Sequence, residues 1–356
     1  MVKVLLGDIA KERKENLKTD KSNLPIVGLE HLVPQQVQLT EWSNDTDNTF
    51  TKVFHKGDIL FGRRRAYLKK AALAPFDGIC SGDITVIAPI ENKIVPELLP
   101  FIVQNDDFFD YAVEKSAGSL SPRVKWEHLK NYEFELPSLE GQKKLAKILW
   151  AAEETKQAYK KLLQKTDDLV GAKFVEMFGC LYGKDQPEWE KYKFNQIIID
   201  SSKFGRKIPK DDYLEKGKYA IIDQSQSYIA GYTNIEDGMY VDTPAIIFGD
   251  HTRCFKYVDF PFFLGADGVK LLKINKEKNV NYIFLIEELK QMPIPNMGYN
   301  RHFKFLNEFP IYLPPYEKQE KFATFVQQTE QSKQQLQKSL DSLNTMTKAL
   351  INENLK

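Results

Sequence analysis

Apolar residues recur at three-to-four spacing along one long stretch, at Leu145, Ile148, Leu149, Ala152, Tyr159, Leu162, Leu163, Leu169, Val170, Phe174 and Met177. That periodicity predicts an amphipathic helix from about Glu140 to Phe178. Pro137 precedes the run and Gly179 follows it, the order expected of a helix start and stop, while Gly171 inside costs about 1 kcal/mol relative to alanine. A second stretch, from about Tyr316 to the end, places Phe322, Thr329, Leu336, Leu343 and Leu350 seven residues apart, with Val326, Leu340 and Thr347 on a companion line. This is a heptad seam. A helix of roughly 38 residues is about 57 Å long at 1.5 Å per residue, and a stripe this narrow along it needs a partner helix. The two stretches share their register, down to a lysine at the same seam position (Lys156 and Lys333), so each is the natural partner of the other.

The remaining regions, roughly residues 1 to 136 and 185 to 313, hold short runs of Val, Ile, Phe and Tyr broken by Gly, Pro, Asn and Asp, a pattern of mixed strand and helix. Strands are expected at Val53 to Phe61, Ile84 to Ala88, Ala245 to Phe248 and Gly268 to Ile274. Leu98 to Glu114 and Asn281 to Leu289 read as helices. Each region is then an α+β globule.

The chain also repeats itself. Leu136-Pro137-Ser138-Leu139-Glu140-Gly141-Gln142-Lys143-Lys144-Leu145 aligns with Leu313-Pro314-Pro315-Tyr316-Glu317-Lys318-Gln319-Glu320-Lys321-Phe322 at an offset of 177 residues, which continues without a gap to Leu163 and Leu340. Earlier in each half, Gly57-Asp58-Ile59-Leu60-Phe61-Gly62 matches Thr243-Pro244-Ala245-Ile246-Ile247-Phe248-Gly249 at an offset of 187. Val4-Leu5-Leu6-Gly7-Asp8-Ile9 resembles Tyr192-Lys193-Phe194-Asn195-Gln196-Ile197 in pattern. The order is globule (1–137), helix (138–179), globule (180–314), helix (315–356), a tandem repeat of two similar α+β units.

Composition changes this picture little. The 356 residues, with 50 Lys+Arg against 49 Asp+Glu and a net charge of +1, suit two domains, and near-neutrality means that any attraction to a polyanion must be local. No apolar run approaches the eighteen or so residues of a membrane span, no basic stretch and apolar run open the chain, and a cytoplasmic protein is expected. Cys80, Cys180 and Cys254 lie far apart and read as free thiols.

Candidate chemistry is sparse. Leu313-Pro314-Pro315-Tyr316 resembles the end of the adenine methyltransferase motif, but that motif opens with Asn or Asp, whose oxygen accepts from the target amino group, and leucine cannot accept. Both Leu-Pro segments instead suit a helix start. No phosphate-binding glycine loop is present. Asp211, Asp212 and Glu215 are too closely spaced for a nuclease centre, and His31, His55, His128, His251 and His302 show no ligand spacing. What remains is basic. Arg63-Arg64-Arg65 and Lys69-Lys70 follow the strand ending at Phe61-Gly62, and their donors suit phosphates or the O6/N7 edge of guanine. The equivalent place in the second half carries Asp250-His251-Thr252-Arg253 and Lys256. A further pair of clusters precedes each long helix: Gly118-Ser119-Leu120-Ser121-Pro122-Arg123 with Lys125, and Met297-Gly298-Tyr299-Asn300-Arg301-His302 with Lys304.

In the order and duplication of these segments the chain resembles the specificity subunit of Type I restriction-modification systems. The likeness rests on Gly57 to Arg64, on Gly118-Ser119 through Leu136-Pro137 into Glu140-x-Gln142-x-x-Leu145, on Phe174-Val175-Glu176-Met177-Phe178-Gly179, on Phe248-Gly249-Asp250-His251-Thr252-Arg253 and on Leu264-Gly265-Ala266-Asp267-Gly268. It implies two target recognition domains, each for one half of a bipartite asymmetric DNA site, and two helices forming an antiparallel coiled coil that spaces them, with half-sites about one turn, roughly 34 Å, apart. It implies partners as well: double-stranded DNA, two methyltransferase subunits that carry S-adenosylmethionine, and restriction subunits. This chain itself would hold no cofactor and no catalytic residue. Ser138 and Gly141 depart from the family's helix start. DNA contact is then expected from Arg63, Arg64, Arg65, Lys69, Ser119, Arg123 and Lys125 in the first half, and from His251, Arg253, Lys256, Tyr299, Asn300 and Arg301 in the second. Coiled-coil and partner contact is expected from Leu145, Leu149, Tyr159, Leu163, Phe322, Leu336, Leu340 and Leu343. A self-contained nuclease or methyltransferase and a protein-binding scaffold are the competing readings.

Overall fold

The computed structural model describes residues 1–18, 24–184, 186–266, 268–298 and 300–355. The chain divides into two compact units, 1–161 with 336–356 and 162–335, so each α+β globule takes a share of both long helices.

In the first unit the strand Ile59–Gly62 lies between Ile84–Pro89 and Ala71–Leu73, with Ala10–Glu12 beyond Ile84–Pro89, all antiparallel. Every residue of the central strand is buried, because its alternating side chains serve two cores. Ile59 and Phe61 pack with Phe108, Phe109 and Phe134, whereas Leu60 packs with Phe54, Cys80 and Val86. A smaller sheet pairs Gly78–Cys80 with Ile26–Val27 in parallel and Lys52–Phe54 antiparallel.

The second unit repeats this frame. Ala245–Gly249 is buried between Val269–Ile274 and Phe255–Val258, with Ile198–Asp200 at the edge. Ile246 and Phe248 face one core, Ala245 and Ile247 the other. The chain enters both units alike: Val2–Leu5 pairs with Glu133–Leu136, and Glu190–Lys193 with Pro310–Leu313. Each entry strand leads into one helical turn closed in the same way, Leu5 N–H donating to the Asp8 carboxylate (2.9 Å) and Lys193 N–H to the Gln196 amide oxygen (2.8 Å).

Two expected elements are broken by turns. The expected strand Val53 to Phe61 is two strands, Lys52–Phe54 and Ile59–Gly62. Between them Gly57 takes φ +92°, which favours glycine, and buried Asp58 accepts from His55 N–H (2.8 Å) and from Arg13 Nε (2.7 Å) and Nη2 (3.0 Å). The expected helix Leu98 to Glu114 is interrupted at Gln104 and Asn105, because the Asn105 side chain caps a new helix, Asp106–Glu114, through Asp107 N–H (3.1 Å). Asn281 does the same for Tyr282–Gln291.

The long helices run Leu139–Phe178 and Tyr316–Asn354. In the first unit Leu145 and Leu149 share a core with Ile351 and Leu355; in the second, Phe174 and Phe178 share one with Phe322, Phe284 and Tyr312. Within each unit the two helices are therefore antiparallel. Each is fastened to its globule by one glutamine at the repeat offset. Gln142 accepts from Val95 N–H (2.9 Å) and donates to the Pro137 carbonyl (3.0 Å), and Gln319 accepts from Asn281 N–H (2.9 Å) and donates to the Pro314 carbonyl (2.8 Å). Both are almost wholly buried.

Candidate nucleic-acid interface

The first basic cluster begins where Ile59–Gly62 ends. Arg63 N–H donates to the Asp83 carbonyl (3.0 Å), and Val124 N–H to the Arg63 carbonyl (3.0 Å). Arg65 sits in the left-handed region at φ +55°, its N–H bonded to the Pro122 carbonyl (2.8 Å). These bonds draw in the loop of the second cluster, where Ala117 and Arg123 exchange two backbone hydrogen bonds (3.0 and 2.9 Å) and close a hairpin with Gly118 at φ +113°. The structure thus brings together two basic segments nearly sixty residues apart in sequence.

Their side chains are also joined. Arg123 lays Nε and Nη2 on the two oxygens of Asp83 (2.7 and 3.2 Å), while Arg64 donates Nε to Ser121 Oγ (2.5 Å) and brings Nη1 to Asp83 at 3.5 Å. The Arg123 bond holds the Asp83 carboxyl below its ordinary range, so the clamp is charged at neutral pH. Arg65, Ser119 and Lys125 are exposed. Arg63 is half-buried, and its Nε is shut from water with no acceptor among the described residues. Lys69 and Lys70 turn back onto the fold: Lys69 reaches Asp106 (2.6 Å) and Lys70 the Leu29 carbonyl (2.7 Å).

In the second unit the same two places meet through different bonds. After Gly249 the loop is held by buried Asp250, whose carbonyl accepts from both the N–H (2.8 Å) and the Nδ1 (2.9 Å) of His302, and whose carboxylate accepts from Phe303 N–H (2.7 Å). His302 is fully buried, and its Nε2 accepts from Met297 N–H (3.3 Å), which fixes the neutral tautomer with the proton on Nδ1. Arg253 is left-handed at φ +60°, as Arg65 is, with Nη1 on the Ile294 carbonyl (3.3 Å). Left-handed arginines at both strand ends are a strain of roughly 1–2 kcal/mol each that the surrounding loop bonds hold in place. His251 N–H donates to the Gln224 side chain (3.2 Å), Asn300 donates to the Met297 carbonyl, and Arg301 is exposed. Tyr299 and Asp267 lie outside the described residues. Lys256 corrects the expectation: it is 5% exposed, with Nζ on the carbonyls of Asp223 (2.7 Å) and Ser227 (2.6 Å), a structural cation closed to any phosphate.

On the helices Leu145, Leu149, Phe322 and Leu340 are buried, and Tyr159, Leu163, Leu336 and Leu343 are half-buried. Tyr159 and Leu343 line a shallow groove with Thr155, Lys338, Ser342 and the exposed Met346. Ile148, Leu162 and Leu169, which the periodicity grouped with the buried face, are about half exposed. In sequence they stand at multiples of seven residues. Among the described residues no helix is long and apolar enough to cross a membrane, and no three of His, Cys, Asp and Glu stand close enough to hold a metal ion.

A model of the Type I restriction modification DNA specificity domain matches the sequence twice, over residues 2–165 and 186–344. The chain belongs to that family. The specificity subunit of the Type I restriction enzyme EcoDI of Escherichia coli is 26% identical over 137 residues, 36% of this chain and 30% of that relative, so the match spans under a third of the curated protein. Among solved structures, the Type I restriction-modification system S subunit from M. genitalium aligns over 100% of this chain and 96% of its own, with TM-score 0.58 at 15% identity. A chain from a structure concerned with complex assembly and conformational transition of the type I R-M system aligns over 99% of this chain and 97% of its own, with TM-score 0.56 at 18% identity. Both likenesses are of fold.

Within this family's duplicated frame, sequence reasoning found the clusters but missed their organisers. Asp83 lies in a Ser-Gly-Asp turn that carries no basic signal, and Asp250 and His302 were legible only as neighbours of the expected contacts His251 and Arg301, not as the bonds that join the two loops. Gln142 and Gln319 were visible as repeat matches, but nothing in one chain distinguishes a buried lock from a solvated glutamine.

Proposed function

We propose that this chain is the DNA-reading subunit of a Type I restriction-modification complex, acting without catalysis of its own. It binds a bipartite, asymmetric double-stranded site, and partner subunits carry out N6-adenine methylation and restriction there. The observation that carries this reading is the pairing of one frame with two unlike sets of donors: Arg63, Arg64, Arg65, Ser119, Arg123 and Lys125 at one strand end, and His251, Arg253, Asn300 and Arg301 at the other. A duplicated protein-binding scaffold has no need for exposed arginines at both equivalent loops, whereas two unlike half-sites require unlike donors on equivalent loops. The globules correspond to residues 1–137 and 180–314 and the helical regions to 138–179 and 315–356. The half-exposed Leu162 and Leu169 of the first long helix support docking of methyltransferase subunits, two in the complete complex, which bring S-adenosylmethionine. Such a complex works in the cytoplasm, where the DNA is.

The test is methylome sequencing of cells expressing the methyltransferase partner with and without this chain. A split motif methylated only when the chain is present is expected; identical methylation in both strains would sink the proposal.

A further inference from the structure

We infer that Asp83 is a positioning residue that aims Arg123 end-on at the major-groove edge of a guanine in the first half-site. This rests on the DNA-reading function proposed above and adds to it the base and the geometry.

A guanidinium carries five N–H donors, one on Nε and two on each terminal nitrogen, and presents them as two forks. Asp83 occupies the side fork of Arg123, taking Nε at 2.7 Å and Nη2 at 3.2 Å. Among the described residues one N–H of Nη2 and both of Nη1 have no partner, so the end fork, with one donor from each terminal nitrogen, is intact. That fork matches the O6 and N7 acceptors of guanine, which lie side by side in the major groove. The Arg123 side chain is 43% exposed and Asp83 23%, so the arginine is reachable from solvent while its side fork is taken up by the carboxylate.

Each link behind the fork is itself fixed. Asp83 N–H donates to Ser81 Oγ (3.2 Å), and the Arg123 backbone is pinned by two hydrogen bonds to Ala117 (2.9 and 3.0 Å). Arg64, the other cation near this carboxylate, reaches it only at 3.5 Å and spends Nε on Ser121. Neutralising a phosphate does not require this aim, because a lysine supplies the charge without a fork. Among the described residues the second unit has no arginine clamped on a carboxylate: Arg253 meets a backbone carbonyl, and Arg301 is exposed.

The test uses the full chain bound to its methyltransferase subunit and a pool of randomised duplex DNA, from which the preferred duplex is selected and then remade with 7-deazaguanine, which lacks N7, at each guanine in turn. For the unaltered chain one guanine of the first half-site is expected to be sensitive. In Arg123→Lys, which keeps the charge and loses the fork, and in Asp83→Ala, which keeps the fork and loses its aim, discrimination at that guanine falls about ten- to a hundredfold while the second half-site is read as before. Asp83→Asn serves if the alanine variant does not fold, with a smaller loss at the same base.

Three results overturn the inference in different ways. If Arg123→Lys lowers affinity evenly for all sequences and reduces the salt slope, Arg123 meets phosphate. If Arg123→Lys loses the guanine but both Asp83 variants keep it, Asp83 is not the positioning residue. If the variants lose discrimination at a base other than guanine, the assignment of the fork is wrong. Selection of no preferred duplex by the unaltered chain would instead refute the DNA-reading function itself.

Discussion

The two strand-end loops stand on one frame and are held by different kinds of bond. In the first unit bonds between side chains are added to the backbone ones: Arg123 and Arg64 converge on Asp83, and Arg64 on Ser121. In the second each bond has backbone at one end: the His302 ring meets the Asp250 carbonyl, Phe303 N–H the Asp250 carboxylate and Arg253 the Ile294 carbonyl. The first arrangement orients cations; the second fixes a loop and leaves Arg301 exposed. The smaller sheets diverge as well, since Gly78–Cys80 has one antiparallel neighbour in Lys52–Phe54, whereas Phe263–Gly265 pairs in parallel with Tyr219–Ile222, which adds Gly231–Thr233 beyond it. The four-stranded sheet and the helix fastening are the shared parts, and the loops at their ends are where the units differ. A duplicated scaffold can therefore change what it reads without touching its core.

The largest expected difference between the units is in their response to pH. Glu288 is fully buried in the second unit, Oε1 accepting from Tyr312 N–H (2.6 Å) and Tyr182 OH (3.2 Å), with no partner for Oε2 among the described residues. Burial pushes its carboxyl up to about 8, against the downward pull of those two bonds. An unfolded glutamate ionises near 4.3, so from there to about 8 the folded unit holds a proton that the unfolded chain has lost, and stability falls as pH rises. Glu288→Gln removes that slope. It is expected to stabilise the second unit by on the order of 4 kcal/mol at pH 8 and by little near pH 4. Trp189, the single tryptophan of residues 162–335, reports the unfolding of that unit. An equal gain at both pH values would remove the contrast.

Next in size are the two glutamine locks. Gln142→Ala and Gln319→Ala each leave an N–H without its acceptor, buried at Val95 and partly buried at Asn281, at a cost of about 1–3 kcal/mol. If the frame is shared in energy as well as in shape, denaturant unfolding gives similar losses for the two variants; a loss in only one would break the comparison. Lys256→Met follows. Its ammonium satisfies the carbonyls of Asp223 and Ser227, so the substitution is expected to cost about 1–2 kcal/mol of stability and to leave the salt dependence of DNA binding unchanged.

How much of this was legible in the chain depends on the range over which each signal acts. The long helices were readable because periodicity accumulates over forty residues, and Leu139–Phe178 begins within a residue of the expected start. The central strands Ile59–Gly62 and Ala245–Gly249 were readable because both of their faces are buried. The break at Gly57 and Asp58 was not, because the Asp58 carboxylate that closes the local turn onto His55 is also held by Arg13, forty-five residues away. Asn105 within an apolar run looks like a tolerated polar residue until its side chain is seen capping the next helix. The basic clusters were legible as composition. The choice between an exposed arginine and a structural lysine was not, because Lys256 and Lys69 are assigned by acceptors that only the fold brings near.

Lys69 is the smallest test of the comparison and the one that separates the two roles a cation can play at these loops. It stands at φ +50° and pairs with Asp106, which also receives Lys348 of the second long helix (2.9 Å). Asp106 is held below its ordinary range, first by the Lys69 bond and then by the Lys348 bond. A carboxyl depressed in this way contributes stability above its unfolded pKa and loses it as pH falls through the lower folded value. The Asp106 side chain is 40% exposed, so solvent screens the pair and Lys69→Met is expected to cost no more than about 1 kcal/mol at pH 7. That difference should disappear in acid, where Asp106 is protonated in both states. Arg123→Lys, by contrast, is expected to shift base preference at neutral pH with little change in stability. A Lys69 variant that weakened DNA binding with a reduced salt slope, and whose stability was unaltered at pH 7, would return this lysine to the reading face and leave Asp106 to Lys348 alone.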